Sequence, residues 1–220
     1  MAAAPVIDGV LEPGLGLRSA PKTYWVGAGA APAEGDAAYA VAHRPDGLYV
    51  FVNVTDTTRL PAPLANDTFC GDAVEIYLDS DGAFPMAPSY DVPGTVQFVV
   101  AAPVDSVTPS TRASRWNNVS FALGAWTSSE FGTFPTATGY TFEAIFRAVD
   151  LGLVSWTLSP GSSIGLSLAI DVAVLANDPR AGCGHRLGQY FNRVDTVSRL
   201  PCGIGAYCST KAFCTTALLP

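Results

Sequence analysis

The chain has 220 residues, 49% of them apolar and only 14% charged, which is too rich in core-forming side chains for a disordered tail. Twenty-one glycines and 17 prolines interrupt it too often for a long helical bundle or coiled coil, and the length suits a single core. Twelve basic side chains against 19 acidic ones give a net charge of −7, which repels a phosphate backbone and excludes nucleic acid as a partner; no apolar run approaches the roughly 20 residues of a membrane span.

Taken in order, a short strand is expected at Val6-Ile7 and a longer one over residues 36–43, closed by the Pro45-Asp46-Gly47 turn. Residues 48–54 alternate strictly, with Leu48, Val50, Val52 and Val54 on one face and Tyr49, Phe51 and Asn53 on the other. Both faces are largely apolar, which predicts a central strand buried on both sides. Residues 72–79 point Val74, Ile76 and Leu78 toward a core and Ala73, Glu75 and Tyr77 away. After turn chemistry at Asp79-Ser80-Asp81-Gly82 and Val92-Pro93-Gly94, residues 95–101 repeat the pattern, with Val96, Phe98 and Val100 in and Gln97 out. A further strand is expected over 118–123. Residues 140–147 place Tyr140, Phe142, Ala144 and Phe146 inward, opposite Thr141, Glu143 and Arg147, and residues 149–154 carry the one signal for a helical turn. The longest alternation, 164–174, sets Ile164, Leu166, Leu168, Ile170, Val172 and Val174 against the small or polar Gly165, Ser167, Ala169, Asp171 and Ala173.

About ten short strands at this spacing define an all-β fold, a two-sheet antiparallel β-sandwich. One outward face is expected to gather Asn53, Glu75, Tyr77, Gln97, Glu143, Arg147 and Asp171. The alternation ends near Asn177, which divides the chain into a sandwich domain, 1–176, and a Cys-rich C-terminal extension, 177–220, packed on it. Cys183, Cys202, Cys208 and Cys214 lie in that extension without a C-x-x-C pair, so disulfides stapling the tail fit better than zinc. The fifth cysteine, Cys70, is the expected free thiol. Met1-Ala2-Ala3-Ala4 lacks the parts of a secretion signal and reads as the start left after a removed leader, so the expected location is secreted or at the cell surface.

Several segments, in this order, resemble the family 9 carbohydrate-binding module and its DOMON-like relatives. They are Pro5-Val6-Ile7-Asp8-Gly9, Trp25, the run from Gly47 to Asp56, Asp72-Ala73-Val74-Glu75-Ile76-Tyr77-Leu78-Asp79, Gly139-Tyr140-Thr141-Phe142-Glu143-Ala144, and Gly165 to Asp171. The resemblance implies a jelly-roll type sandwich that binds an oligo- or polysaccharide between aromatic side chains, without catalysis. Carried over position by position, it puts Phe69 where the family has a clamp aromatic, Glu75 at the sugar-contacting Glu, and Gln97 near the polar position of the next strand. Tyr190 and Phe191 are the candidates for the second clamp. Arg147 joins them as a polar contact, because the hydroxyl rim of a sugar seeks donors and acceptors while its C–H face packs on an aromatic plane. The plain alternative is that Glu75 pairs with Arg147, backbone caps Asp171, and Phe69 packs under a loop.

Other signals point to different chemistry. Asp79 and Asp81 are a candidate pair for a structural calcium ion, which relatives of the module often hold, although the rest of an EF-hand is absent. No haem is expected, since Met86 has only His43 or His185 to pair with. Gly161-Ser162-Ser163-Ile164-Gly165 matches a hydrolase elbow literally, with Asp171 and His185 following, but a strand and not a helix is predicted after it. Two further functions therefore stand beside sugar binding: an extracellular adhesion or assembly module that contacts protein, and a hydrolase using Ser163 or paired carboxylates.

Overall fold

The alternating segments build two antiparallel sheets in the computed structural model, which describes residues 5–22, 24–27, 29–62, 68–80, 95–109, 113–116, 130–151, 153, 155, 157–173, 186–192 and 214–218; at 113–116, 186 and 214–217 it describes the backbone path alone. Among these residues the first sheet has five strands in the order β1 (Arg18–Ala20), β3 (Asp36–Arg44), β4 (Gly47–Thr55), β9 (Gly139–Arg147), β8 (Glu130–Thr136). The second runs β2 (Tyr24–Gly27), β11 (Arg186–Phe191), β10 (Ser163–Ala173), β5 (Ala73–Asp79), β6 (Thr95–Ala101), β7 (Ala113–Trp116), with β12 (Cys214–Ala217) also paired to β10. The all-β sandwich expected from the alternation is the observed fold.

The inward faces meet in one core. Leu48, Val50, Val52 and Val54 of β4 join Phe142 and Phe146 of β9, and across the interface stand Val74, Ile76 and Leu78 of β5 with Leu166, Leu168 and Ile170 of β10. Phe98 of β6 and Phe146 of β9 bridge the sheets with ring centroids 4.4 Å apart. Each such side chain, fully buried, stabilises the fold by about 1.5–3 kcal/mol, which is why the alternation dictates the architecture.

β4 is buried on both sides, as its two apolar faces require. Its second face, Tyr49 and Phe51, forms a smaller cluster with Ala40, Ala42 and Ile145, over which Ile7, Leu11 and Leu15 of the N-terminal segment are packed. This corrects the strand expected at Val6-Ile7: the segment has no strand partner and lies as a strap across the sheet. Its fastening explains two sequence pieces at once. The Glu143 carboxylate accepts hydrogen bonds from the backbone N–H groups of Asp8 (2.9 Å) and Gly9 (2.8 Å) and from the Tyr49 hydroxyl (2.7 Å), while Thr141 Oγ1 donates to the Gly9 carbonyl at 3.0 Å. Gly9 has φ +83°, and a Cβ there would lie 2.5 Å from the Phe134 ring, so only glycine fits.

Other expectations change in detail. The helical turn is a 3-10 turn at Ala148–Leu151, closed by Arg147 N–H donating to the Asp150 carboxylate at 2.7 Å. The strand expected over 118–123 lies outside the described residues. β1, β2 and β7 are too short to show alternation, and β8 carries Gly132 and Pro135, a proline an edge strand tolerates. Two strands lie beyond residue 176, where none is predicted. β11 pairs Ala169–Ala173 of β10 and β12 pairs the Ser163–Leu166 end of the same edge. Ala169 faces Phe191, yet three residues back Leu166 faces Cys214 and not Val194, so the two are one edge line interrupted by a long excursion. Gly188 in β11 passes so close to Gly27 in β2 that a Cβ would lie 2.5 Å from its Cα, which breaks the apolar alternation a sequence reading needs.

Two expectations are overturned. Cys70 is disulfide-bonded and not the free thiol; separation in sequence carries no information about separation in space, and the side chains of the other four cysteines lie outside the described residues. The seven outward polar residues do not share a face: Asn53, Glu143 and Arg147 belong to the first sheet and Glu75, Tyr77, Gln97 and Asp171 to the second.

Replacing Glu143 by Ala should destabilise the fold by about 2–4 kcal/mol in urea titrations, because it leaves two backbone N–H groups and a buried hydroxyl without an acceptor. A change under about 0.5 kcal/mol would show that the strap is held by packing alone.

Candidate functional site

The outer face of the second sheet is set by the register of β5, β6, β10 and β11. Reading across the strands, one row runs Val99, Glu75, Ala169, Phe191, Tyr24, and the next places Gln97, Tyr77 and Ser167 side by side, with position 116 of β7 opposite Gln97. Gly165, Ser167, Ala169, Asp171 and Ala173 make the β10 row low between the larger side chains of β5 and β11, and this row is buried.

Along one wall Glu75, Tyr77 and Gln97 form a hydrogen-bonded triangle. The Tyr77 hydroxyl donates to Glu75 Oε2, and Gln97 Nε2 donates to the same oxygen at 3.0 Å and to the Tyr77 oxygen at 3.3 Å. Because a carboxylate only accepts, the amide nitrogen of Gln97 must face Glu75, which turns its carbonyl outward. Both interactions to Glu75 converge on Oε2, so Oε1 and Gln97 Oε1 are acceptors engaged by no described residue. Glu75 is 3% exposed and Tyr77 fully buried, whereas Gln97 is half-buried and forms the accessible lip.

The two late aromatics separate. Phe191 shares the face of Glu75, one strand beyond Ala169, and is buried. Tyr190 points into the sandwich, 4.8 Å from the Trp25 ring, with its hydroxyl donating to the Pro32 carbonyl and the Lys22 ammonium 4.8 Å from its ring centroid. Phe69 is half-buried in a 3-10 turn at Thr68–Cys70, which packs beside β5, β6 and β10. Arg147 stands on the other sheet, ion-paired with Asp46 and, at 3.3 Å, with Glu130. The structure therefore brings together Glu75, Gln97 and Phe191 and separates Arg147 and Tyr190 from them; it equally removes the Glu75–Arg147 pair. Tyr77 and Tyr24 belong to the same face and were not among the expected contacts. Period two in Tyr24-Trp25-Val26 sets Tyr24 opposite Trp25 but cannot say which of them faces the core.

Asp72, just before β5, fastens this face at one end. Its carboxylate accepts from the N–H of Leu60 and of Ala173 (2.6 Å), its own N–H donates to the Leu60 carbonyl at 2.9 Å, and its carbonyl accepts from Ala102 N–H at 2.9 Å. Burial, and then the charge of nearby Asp56, push its pKa up to about 8 against those N–H bonds.

Asp79 ends β5 in a buried position in register with Gly165 and Thr95, while Asp81 lies outside the described residues. Among the described residues no three His, Cys, Asp or Glu side chains come together to share a metal ion. The Ser163 elbow does not form. Ser163 and Asp171 lie on the same strand, β10, about 26 Å apart at the rise of an extended chain, and a strand follows the Gly161–Gly165 motif. His43 Nε2 is held at 3.1 Å from the Leu158 carbonyl, and His185 lies outside the described residues.

No protein-family profile and no curated protein sequence matches the chain. Solved structures do. A family 9 carbohydrate-binding module from Caldicellulosiruptor kristjanssonii in complex with cellotriose is 17% identical with a TM-score of 0.66, covering 99% of this chain and 90% of that one. The same module in complex with glucose is also 17% identical with a TM-score of 0.66, covering 98% and 92%. The chain has the fold of a family 9 carbohydrate-binding module.

As pH rises, the proton that the folded state holds on Asp72 is lost. Its contribution to stability is complete below the ordinary carboxylate range and disappears as pH passes through about 8. Between about pH 5 and 9 the Tm of the natural chain should therefore fall relative to that of Asp72→Asn, which mimics the protonated side chain. A difference that stays constant, or moves in favour of the natural chain, would contradict this assignment.

Proposed function

We propose that this chain is a non-catalytic carbohydrate-binding module of a secreted or cell-surface protein. The observation that carries the reading is the pair of acceptor oxygens, Glu75 Oε1 and Gln97 Oε1, held by a Tyr77-centred triangle beside the low β10 row. Vicinal hydroxyls of a sugar can donate to both, and the shared bonds fix the acceptors before the ligand arrives, which lowers the entropy lost on binding. Gln97, half-buried, is the most accessible of these side chains and the one a ligand would meet first. The fold is shared with a module that holds cellotriose and glucose, which supports this class of ligand. Affinity should lie in the micromolar-to-millimolar range, about −4 to −8 kcal/mol.

Calorimetry with glucose and cellotriose tests it. Glu75→Ala should weaken binding by roughly 10- to 100-fold, because a hydrogen bond to a charged acceptor is worth about 1.5–3 kcal/mol, and Gln97→Ala by roughly tenfold. Equal affinity in all three proteins would reject the site, and no binding by the natural chain to any of a broad panel of glycans would reject the function.

One other reading is a module for adhesion or assembly whose contacts are with protein. Sedimentation that shows self-association, together with silence toward sugars, would select it. A calcium ion at the Asp79–Asp81 turn remains a proposal based on loop chemistry; a rise in Tm on adding calcium, reversed by chelation, would support it.

A further inference from the structure

The N-terminal strap lies on the first sheet as a bound peptide would. Ile7, Leu11 and Leu15, four residues apart, pack onto the cluster of Ala40, Ala42, Tyr49, Phe51 and Ile145, while Val6 and Val10 are each 66% exposed. Residues 5–12 have no strand partner among the described residues, and the bonds of Val6 N–H to Glu12 and of Val10 N–H to Asp8, both 2.9 Å, stay within the strap. What recognises this arm is carried by the sheet. Glu143 and Thr141 on β9 take the peptide groups of Asp8 and Gly9, and the Phe134 ring of β8 fills the space a Cβ of Gly9 would need. The second and independent observation is the join that ties the arm to β1. Glu12-Pro13-Gly14-Leu15 is a type II turn: Leu15 N–H donates to the Glu12 carbonyl at 3.2 Å, proline holds the second position, and Gly14 at the third has φ +85°. Apart from adjoining residues, no atom lies within 4 Å of where a Cβ of Gly14 or Gly16 would stand, and Pro13, Gly14 and Gly16 are exposed. Opening this turn breaks its one hydrogen bond and no strand ladder, and it releases an arm whose anchors all belong to the sheet.

We infer that residues 5–12 are an exchangeable arm, and that the partner this face of the first sheet fits is the arm of a second copy of the chain. A reciprocal swap about a twofold axis rebuilds the arm–sheet contacts between copies, so the two forms differ in the turn and in the freedom of the chains alone. A short linker holds the arm over its own sheet at roughly millimolar effective concentration, which keeps the natural chain monomeric below that level and dimeric above it. Gly14 sets this balance, because a φ of +85° suits glycine and excludes a β-branched side chain, whereas an extended hinge suits both. The second sheet takes no part, so the inference stands apart from the carbohydrate reading.

Sedimentation of the natural chain and of Gly14→Val over a range of concentrations tests this, together with NMR on mixtures of isotope-labelled and unlabelled chains. Gly14→Val penalises the closed turn roughly 5- to 30-fold, and a dimer relieves two turns, so its dimerisation midpoint should fall roughly 30- to 1000-fold below that of the natural chain. In that dimer, contacts of Ile7 and Leu11 with Tyr49 and Phe51 should run between a labelled and an unlabelled copy. A Gly14→Val chain that stays monomeric up to millimolar concentration, or a dimer whose arm contacts remain within each copy, would overturn the inference. Should Gly14→Val fail to fold, the natural chain at a few millimolar decides: arm contacts between copies support the exchange, and a monomer, or a dimer without such contacts, rejects it.

Discussion

The outer face of the second sheet depends on β10 keeping its register between β5 and β11. Inward, β10 presents Ile164, Leu166, Leu168, Ile170 and Val172, whose burial fixes which residues face the core. A slip of one position would turn five apolar side chains out of the core, at about 1.5–3 kcal/mol each, so the register is not negotiable. The same constraint turns Gly165, Ser167, Ala169, Asp171 and Ala173 away from the core, a low row flanked by Glu75 and Tyr77 of β5 on one side and Phe191 of β11 on the other. Where β11 leaves β10, Asn192 keeps the ladder closed. Its side-chain oxygen accepts from Ser167 Oγ and from Leu168 N–H, both at 2.9 Å, and its N–H donates to the Leu168 carbonyl at 3.1 Å.

The two buried carboxylates that fasten segments to the sheets do comparable work by different routes. Glu143 ties the N-terminal strap to the outer face of the first sheet, and its pKa is pushed upward by burial against the bonds from Tyr49, Gly9 and Asp8. Asp72 ties β5 to the end of β10 and to the segment at Leu60, in the field of Asp56. Removing either group leaves backbone donors without acceptors, whereas the exposed pairs around Arg147 lie in water and contribute little.

The fold was largely legible because β4, β5, β6, β9 and β10 are long enough for period two to show, and their faces follow from Leu48, Val74, Phe98, Phe142 and Leu168. What alternation cannot supply is the identity of the neighbouring strand. Glu75 and Arg147 have the same outward parity but sit on opposite layers, and Tyr190 and Phe191, adjacent in sequence, necessarily face opposite ways. β11 was hidden by Gly188, needed for the close approach of Gly27, and β2 by its four-residue length. The site was legible in Glu75 and Gln97, which share outward parity on consecutive strands that the structure pairs. Tyr77 shares the parity of Glu75 on the same strand, whereas Tyr24 needed the register.

The central claim is that the acceptors beside β10 meet the hydroxyls of a glycan. The most direct measurement is a map of backbone amide chemical-shift changes as cellotriose is added to isotope-labelled protein. Changes should concentrate at Glu75, Gln97 and the facing residues of β10, and leave the strap and β4 undisturbed. Changes confined to the first sheet, or none at saturating sugar, would contradict it.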